Sequence, residues 1–113
     1  MNFDFDENAL DAIKALQRPG KPDILGKIVV MYLEKTPSLI EDIETGIATD
    51  DAAKVKMAAH TLKSSSAYLG GTTLADLCNK LETKAANDDL TEVEIETITN
   101  GFEALSEKIK QYA

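Results

Sequence analysis

The sequence predicts an all-α fold, an antiparallel four-helix bundle with a short additional N-terminal helix. Three observations carry that expectation. Apolar residues recur at spacings of three and four almost throughout, and no segment alternates with the period of a strand. The breaks between periodic segments are short: Arg18-Pro19-Gly20, Thr49-Asp50-Asp51, Gly70-Gly71-Thr72-Thr73 and Asn87-Asp88-Asp89. A chain of 113 residues, 43% of them hydrophobic, fills one core but not two, so residues 1–113 are expected to form a single domain. With three Phe, three Tyr and no Trp, that core must be mainly aliphatic.

The elements follow in order. Ala9, Ile13 and Leu16 define a short first helix, with Asp6 or Asp4 as its N-cap and Arg18-Pro19-Gly20 as its stop. Pro22 suits the first position of a second helix, whose wide apolar face is made by Ile24, Leu25, Ile28, Val29, Met31, Tyr32 and Leu33. Pro37 either ends this helix or kinks it. The apolar rows stay in phase through Leu39, Ile40, Ile43 and Ile47, which favours one continuous helix kinked at the proline. Thr49-Asp50-Asp51 then caps a third helix running from about Ala52 to Leu69. Gly70-Gly71 ends it, and a threonine of Thr72-Thr73 is expected to cap the fourth, with Leu74, Leu77, Cys78 and Leu81 as its buried stripe. Thr91-Glu92-Val93-Glu94 matches a capping box ahead of the last helix, which places Ile98, Phe102, Leu105, Ile109 and Tyr112 on one face.

Charge narrows the functional classes. Twenty Asp and Glu against twelve Lys and Arg give a net charge of −8, which repels phosphate backbones and anionic membrane surfaces, so no nucleic-acid or membrane partner is expected. The lone Cys78 can form neither an internal disulfide nor a metal site. The N-terminus, Met1-Asn2-Phe3-Asp4-Phe5-Asp6-Glu7, is acidic where a secretory leader is basic, and no apolar run is long enough to cross a bilayer. A cytoplasmic protein is expected.

The third helix carries the only histidine. At about 100° per residue, Val55, Ala59, Leu62, Ser66 and Leu69 point in one direction, which must be the core, and His60 falls about 140° from it. The imidazole is therefore expected in solvent or against a partner. Its helical neighbours are Lys56, Met57, Lys63 and Ser64, with Ala53 and Ala67 one turn further out. From Ala52 to Ala75 the basic residues are Lys54, Lys56 and Lys63, and no acid occurs. An uncrowded imidazole beside ammonium groups suits a transferable anion such as a phosphoryl group, and those positive charges work against a charged imidazolium, whose ring has no lone pair left for attack. A plainer account also fits these residues: serines as small packing residues, lysines as a solvated face, Met57 and Tyr68 as half-buried positions and Cys78 as core.

The stretch Ala59-His60-Thr61-Leu62-Lys63-Ser64-Ser65-Ser66-Ala67-Tyr68-Leu69-Gly70-Gly71, continuing into Leu74, Leu77-Cys78 and Leu81-Glu82, resembles the signature of histidine-containing phosphotransfer (HPt) domains, the relay modules of bacterial multistep two-component signalling. The resemblance extends to the order of helices over nearly the whole chain. It implies that His60 accepts and donates a phosphoryl group, that Lys63 helps to hold it and that Ser64 keeps the ring accessible. Two positions depart from the family pattern: Ser64, where Gly is usual, and Gly71, where Ala is frequent. Serine remains small, and its hydroxyl is able to hydrogen-bond phosphoryl oxygens.

The resemblance further implies exchange with the aspartate of response-regulator receiver domains and an upstream hybrid sensor histidine kinase, with Mg²⁺ supplied by the receiver. Lys56 would be a second screening charge, and Ala53, Met57, Ala67 and Tyr68 a partly apolar rim for docking. The chain has no glycine-rich nucleotide loop and no metal-ligand spacing, so no ATP site, kinase activity or cofactor of its own is expected. A monomer is expected. The alternatives are a helical adaptor without chemistry, the histidine-bearing domain of a chemotaxis-type kinase, and the dimerisation helix of a sensor kinase; the last usually has an acid directly after the histidine, where this chain has Thr61.

Overall fold

In the computed structural model, which describes residues 2–113, five α-helices and a closing 3-10 turn follow one another: α1 (Glu7–Lys14), α2 (Ile24–Ala48), α3 (Ala52–Tyr68), α4 (Thr72–Ala86), α5 (Ile95–Ile109) and the turn Lys110–Tyr112. Among the described residues there is no strand. The four long helices close a ring in which α2 and α4 each pack on both α3 and α5, while α1 lies against α2. The result is the expected bundle, 48 × 25 × 19 Å, in which the 25 residues of α2 form the longest helix, about 37 Å.

α2 passes through Pro37 without interruption. Its buried row, Leu25, Val29, Tyr32, Thr36, Ile40 and Ile43, advances by threes and fours across the proline, so packing on both sides keeps the helix continuous. Pro37 itself is exposed, and its ring crowds nothing in the core. Met31, expected on the apolar face, is 53% exposed because it lies one step beyond the row's edge. α3 follows its wheel closely: Val55, Ala59, Leu62, Ser66 and Leu69 are all buried. Its one buried polar side chain is satisfied, since Ser66 Oγ and Tyr32 Oη hydrogen-bond at 2.8 Å and pin α2 to α3. Burial pushes the Tyr32 phenol up to about 12. Cys78 is fully buried in α4, and its thiol is likewise pushed up to about 12 by burial, as befits a core residue.

Four local expectations give way to stronger interactions. α1 ends at Lys14, so Leu10 and Ile13 anchor it, Ala9 is only partly buried and Leu16, past the end, is 56% exposed. Pro22 stands before the cap of α2 and not inside it: Asp23 Oδ1 accepts from Gly26 N at 3.0 Å, and Gln17 ties the loop by accepting from Ile24 N at 2.8 Å. Neither threonine caps α4, whose N-cap is Gly71. Both are drawn instead to the N-terminal segment, Thr73 Oγ1 accepting from Asp4 N and Thr72 Oγ1 donating to Asp4 O. The capping box does not form either. Thr91 donates its N–H and hydroxyl to Asp89 Oδ1, Glu92 takes a positive φ of 55°, and α5 starts only after Glu94.

The α3–α4 connection determines how side chains of α3 and α4 meet. Gly71 N donates to Ser66 O at 2.8 Å and Gly70 N to Ala67 O at 3.0 Å, the paired bonds that end a helix when the residue after its cap is left-handed. Gly70 supplies that conformation, with φ +88°. A β-carbon there would also collide with the carbonyl oxygen of Asp6, whose N–H donates to Gly70 O. Gly70→Ala is expected to destabilise the fold by at least about 1 kcal/mol, because a side chain is strained at this φ and the N-terminal segment must move. Urea unfolding at neutral pH measures it, and a variant as stable as the parent would contradict this account of the turn.

Candidate functional site

Small residues make the site possible. Where α3 faces α4 the buried positions include Ala58, Ala59, Ala75, Cys78 and Ala85, so the two backbones approach closely over most of their length. Side chains on the rim of that interface then reach across it. His60 stands on this rim with 61% of its side chain exposed, and Nδ1 meets Glu82 Oε2 of α4 at 2.7 Å. The other carboxylate oxygen, Oε1, accepts from Lys63 Nζ at 2.5 Å, and Lys63 also lies 3.5 Å from Asn79 Oδ1, one turn earlier on α4. Glu82 is largely covered, with 17% of its side chain exposed.

This geometry assigns the tautomer. A carboxylate can only accept, so Nδ1 carries a hydrogen and donates it, and in the neutral ring the lone pair is then on Nε2. Nε2 lies across the five-membered ring from the tethered nitrogen and is turned away from α4. The structure thus changes the electrostatics expected from α3 alone. The acid-free stretch is real along the chain, but in space the nearest charged group to the imidazole is an anion from α4. Lys63 is engaged with that same carboxylate. Its ammonium, first, and the His60 hydrogen bond, second, hold the Glu82 carboxyl below its ordinary range despite some opposing desolvation.

The remaining residues singled out from sequence are all on the same side of α3. Lys56, Ala53, Met57, Ser64, Ala67 and Tyr68 are exposed, Met57 to 74% and Tyr68 to 50%. The helical positions divide them. Lys56 and Lys63 fall on the α4 side of His60, while Met57, Ser64 and Tyr68 fall on the α2 side. There, α2 and α3 border an open groove of about 770 Å³, lined among others by Ile28, Met31, Leu39, Ser64 and Tyr68. Met31 continues onto a second shallow depression that includes Lys27, Val30 and the C-terminal Ala113. Sequence reasoning missed Glu82 as a site residue and missed the α2 wall of the groove. The available signal for Glu82 was its position four residues after Cys78 on α4, which puts it at the flank of a buried stripe. Which neighbouring helix that flank faces is a tertiary fact. Among the described residues no group of three or more His, Cys, Asp or Glu side chains converges as a metal site, and no helix is long and apolar enough to cross a membrane.

These observations define a class of protein, a four-helix bundle that carries on its flank an exposed histidine tethered through one ring nitrogen. Comparisons with known proteins agree with that class. The Hpt domain family model matches residues 27–108, most of the chain, and the chain belongs to that family, the phosphorelay domains of multistep two-component signalling. Over 76 residues, 67% of the chain, it is 33% identical to the sensor protein TorS of Escherichia coli strain K12. That match spans 8% of the length of TorS. Its fold is similar to that of histidine-containing phosphotransfer protein B from Pseudomonas aeruginosa PAO1, with a TM-score of 0.85 at 20% identity over 95% of this chain and 91% of that one. The HPT domain of a sensor hybrid histidine kinase from Shewanella is also similar, with a TM-score of 0.71 at 21% identity over 92% and 85% of the two chains.

The lowered titration of Glu82 has a consequence for stability. In the unfolded chain this carboxyl titrates near 4.5, and in the folded chain lower. Its stabilising contribution is therefore complete above the unfolded value and is lost as pH falls through the folded one. In urea unfolding between pH 7 and 3, the stability gap between the parent and Glu82→Gln is expected to hold down to about pH 4.5 and to close below it. A gap that is independent of pH over this range would contradict the charge-assisted pairing.

Proposed function

We propose that His60 is the phosphoryl carrier of this domain and that it exchanges the group with the aspartate of response-regulator receiver domains. The observation that carries this reading is the half-tethered imidazole: Nδ1 is held by Glu82 at 2.7 Å on a side chain that is 61% exposed, so that in the neutral ring Nε2 keeps its lone pair for attack. In the accepting direction, Nε2 attacks the phosphorus of an aspartyl phosphate in line. The N–P bond forms as the P–O bond breaks, and the departing electron pair returns to the aspartate carboxylate. The imidazole then gains positive charge, and the Glu82 carboxylate at Nδ1 stabilises it, the role of an orienting acid beside a histidine. Donation is the same step reversed.

Lys63 balances the assembly. While the histidine is free, its ammonium neutralises Glu82; once a phosphoryl group arrives, its flexible stem allows it to share its charge with the new anion. Lys56, on the same side and without a carboxylate partner among the described residues, adds a second screening charge. Mg²⁺ comes from the receiver. The exposed apolar rim of Ala53, Met57, Ala67 and Tyr68, extended across the groove by Met31 and Leu39, receives the receiver surface. An upstream hybrid sensor kinase supplies the phosphoryl group through its own receiver, in the cytoplasm, and the domain works as a monomer.

His60→Gln is expected to abolish transfer of labelled phosphoryl from a phosphorylated receiver while leaving receiver docking intact, because glutamine keeps the bulk and polarity but has no nucleophilic ring. Gel-based phosphotransfer and calorimetric titration measure the two properties. Lys63→Ala is expected to slow transfer on the order of tenfold without abolishing it, since it removes one charge-assisted contact and no covalent bond. Transfer that survives in His60→Gln would overturn His60 as the carrier, and a parent chain that docks a receiver without taking up the phosphoryl group would point to a helical adaptor.

A further inference from the structure

The hydroxyls of α3 are unequal. Thr61 Oγ1 donates back to Met57 O at 3.1 Å, Ser65 Oγ to Leu62 O at 3.3 Å, and Ser66 Oγ is bound to the buried Tyr32 phenol. Among the described serine and threonine hydroxyls of α3, Ser64 differs: its hydroxyl is exposed and makes no hydrogen bond within the protein, as is also true of the Tyr68 phenol at the end of the helix. It sits four residues after His60 on the same face, where β-carbons are about 5–6 Å apart. Its side of the helix also matters. Glu82 holds Nδ1 on the α4 side, and Ser64 borders the groove on the other side of the helix, so the hydroxyl and the held nitrogen lie on different flanks of the ring. Lys63, by contrast, is on the α4 flank and occupied by Glu82 and Asn79.

We propose that the Ser64 hydroxyl is a catalytic donor, hydrogen-bonding a non-bridging oxygen of the phosphoryl group on His60 Nε2. This deepens the carrier reading of His60 and rests on it. The serine is not itself modified: its O–H keeps its proton, and only the N–P and P–O bonds of the transfer change. A hydroxyl with no competing partner in the resting protein gives up only water to make this bond, and the acceptor is an anion, so the bond is stronger than one between neutral groups. As charge spreads over the equatorial oxygens during transfer, the contact tightens. The same placement explains how a residue larger than glycine fits in front of the ring, since the extra atom meets the phosphoryl group as a ligand.

The variants that isolate this contribution are Ser64→Ala, which removes the hydroxyl and little else, and Ser64→Thr, which restores it. The parent and each variant are phosphorylated with phosphoramidate, a small donor that needs no docking surface, and the rate of phosphohistidine formation is followed by ³¹P NMR. Ser64→Ala is expected to form it about tenfold more slowly, with a shifted ³¹P resonance, and Ser64→Thr is expected to recover most of the rate. Equal rates and resonances in the parent and Ser64→Ala would overturn the proposal while leaving His60 as the carrier. A parent chain that takes up no label, or takes it up equally as His60→Gln, would overturn both readings.

Discussion

Close packing of α3 on α4 is the constraint on which the site depends. Alanines and Cys78 line the buried strip between the two helices, and the Gly70-Gly71 turn sends the chain straight back along itself. With larger residues in that strip the axes would stand further apart, and a glutamate on α4 could not reach an imidazole on α3. The close approach turns three side chains that are ordinary in isolation into a connected unit. One carboxylate accepts from both His60 and Lys63, so a displacement of α4 alters the ring and the ammonium together.

The bundle also separates what must be fixed from what must be open. The core side of α3 is fully buried and cross-linked to α2 by the Ser66–Tyr32 hydrogen bond. The Tyr32 ring packs in turn on Phe102 of α5, with centroids 5.7 Å apart. The outer side of the same helix carries no large buried group, and its polar atoms face solvent or the flanking helices. A rigid, continuous helix of 17 residues thereby presents His60 in a defined orientation without enclosing it. A carrier that must meet a partner's aspartate needs that combination, because reacting atoms have to be aligned to within a fraction of an ångström while the path to them stays clear. The two flanks of the ring differ, with charged tethers on the α4 side and an apolar groove on the α2 side.

Periodicity along the chain determined the all-α class, the order of five helices, the continuity of α2 through Pro37 and the face on which His60 stands. These are properties of a single helix wheel, and a wheel is set by the spacing of its own residues. Local capping was less legible. Thr72, Thr73 and Thr91 each had a plausible role as a cap, yet the first two bind Asp4, 68 and 69 residues away, and the third binds Asp89. A hydroxyl follows the best available acceptor or donor, and the folded chain offered partners that no neighbouring sequence could reveal.

The functional residues divide in the same way. His60, Lys63 and Ser64 lie within one turn of helix, so sequence alone placed them together on an exposed face. The Hpt signature around them gave that face its chemistry. Only the tertiary structure decided that Glu82 shares its carboxylate between His60 and Lys63, that Nδ1 is the held nitrogen and Nε2 the free one, and that α2 completes an apolar groove beside Ser64. The physical reason is distance along the chain: Glu82 is 22 residues from His60, and helical spacing carries no information on which flank of α3 the next helix will cover.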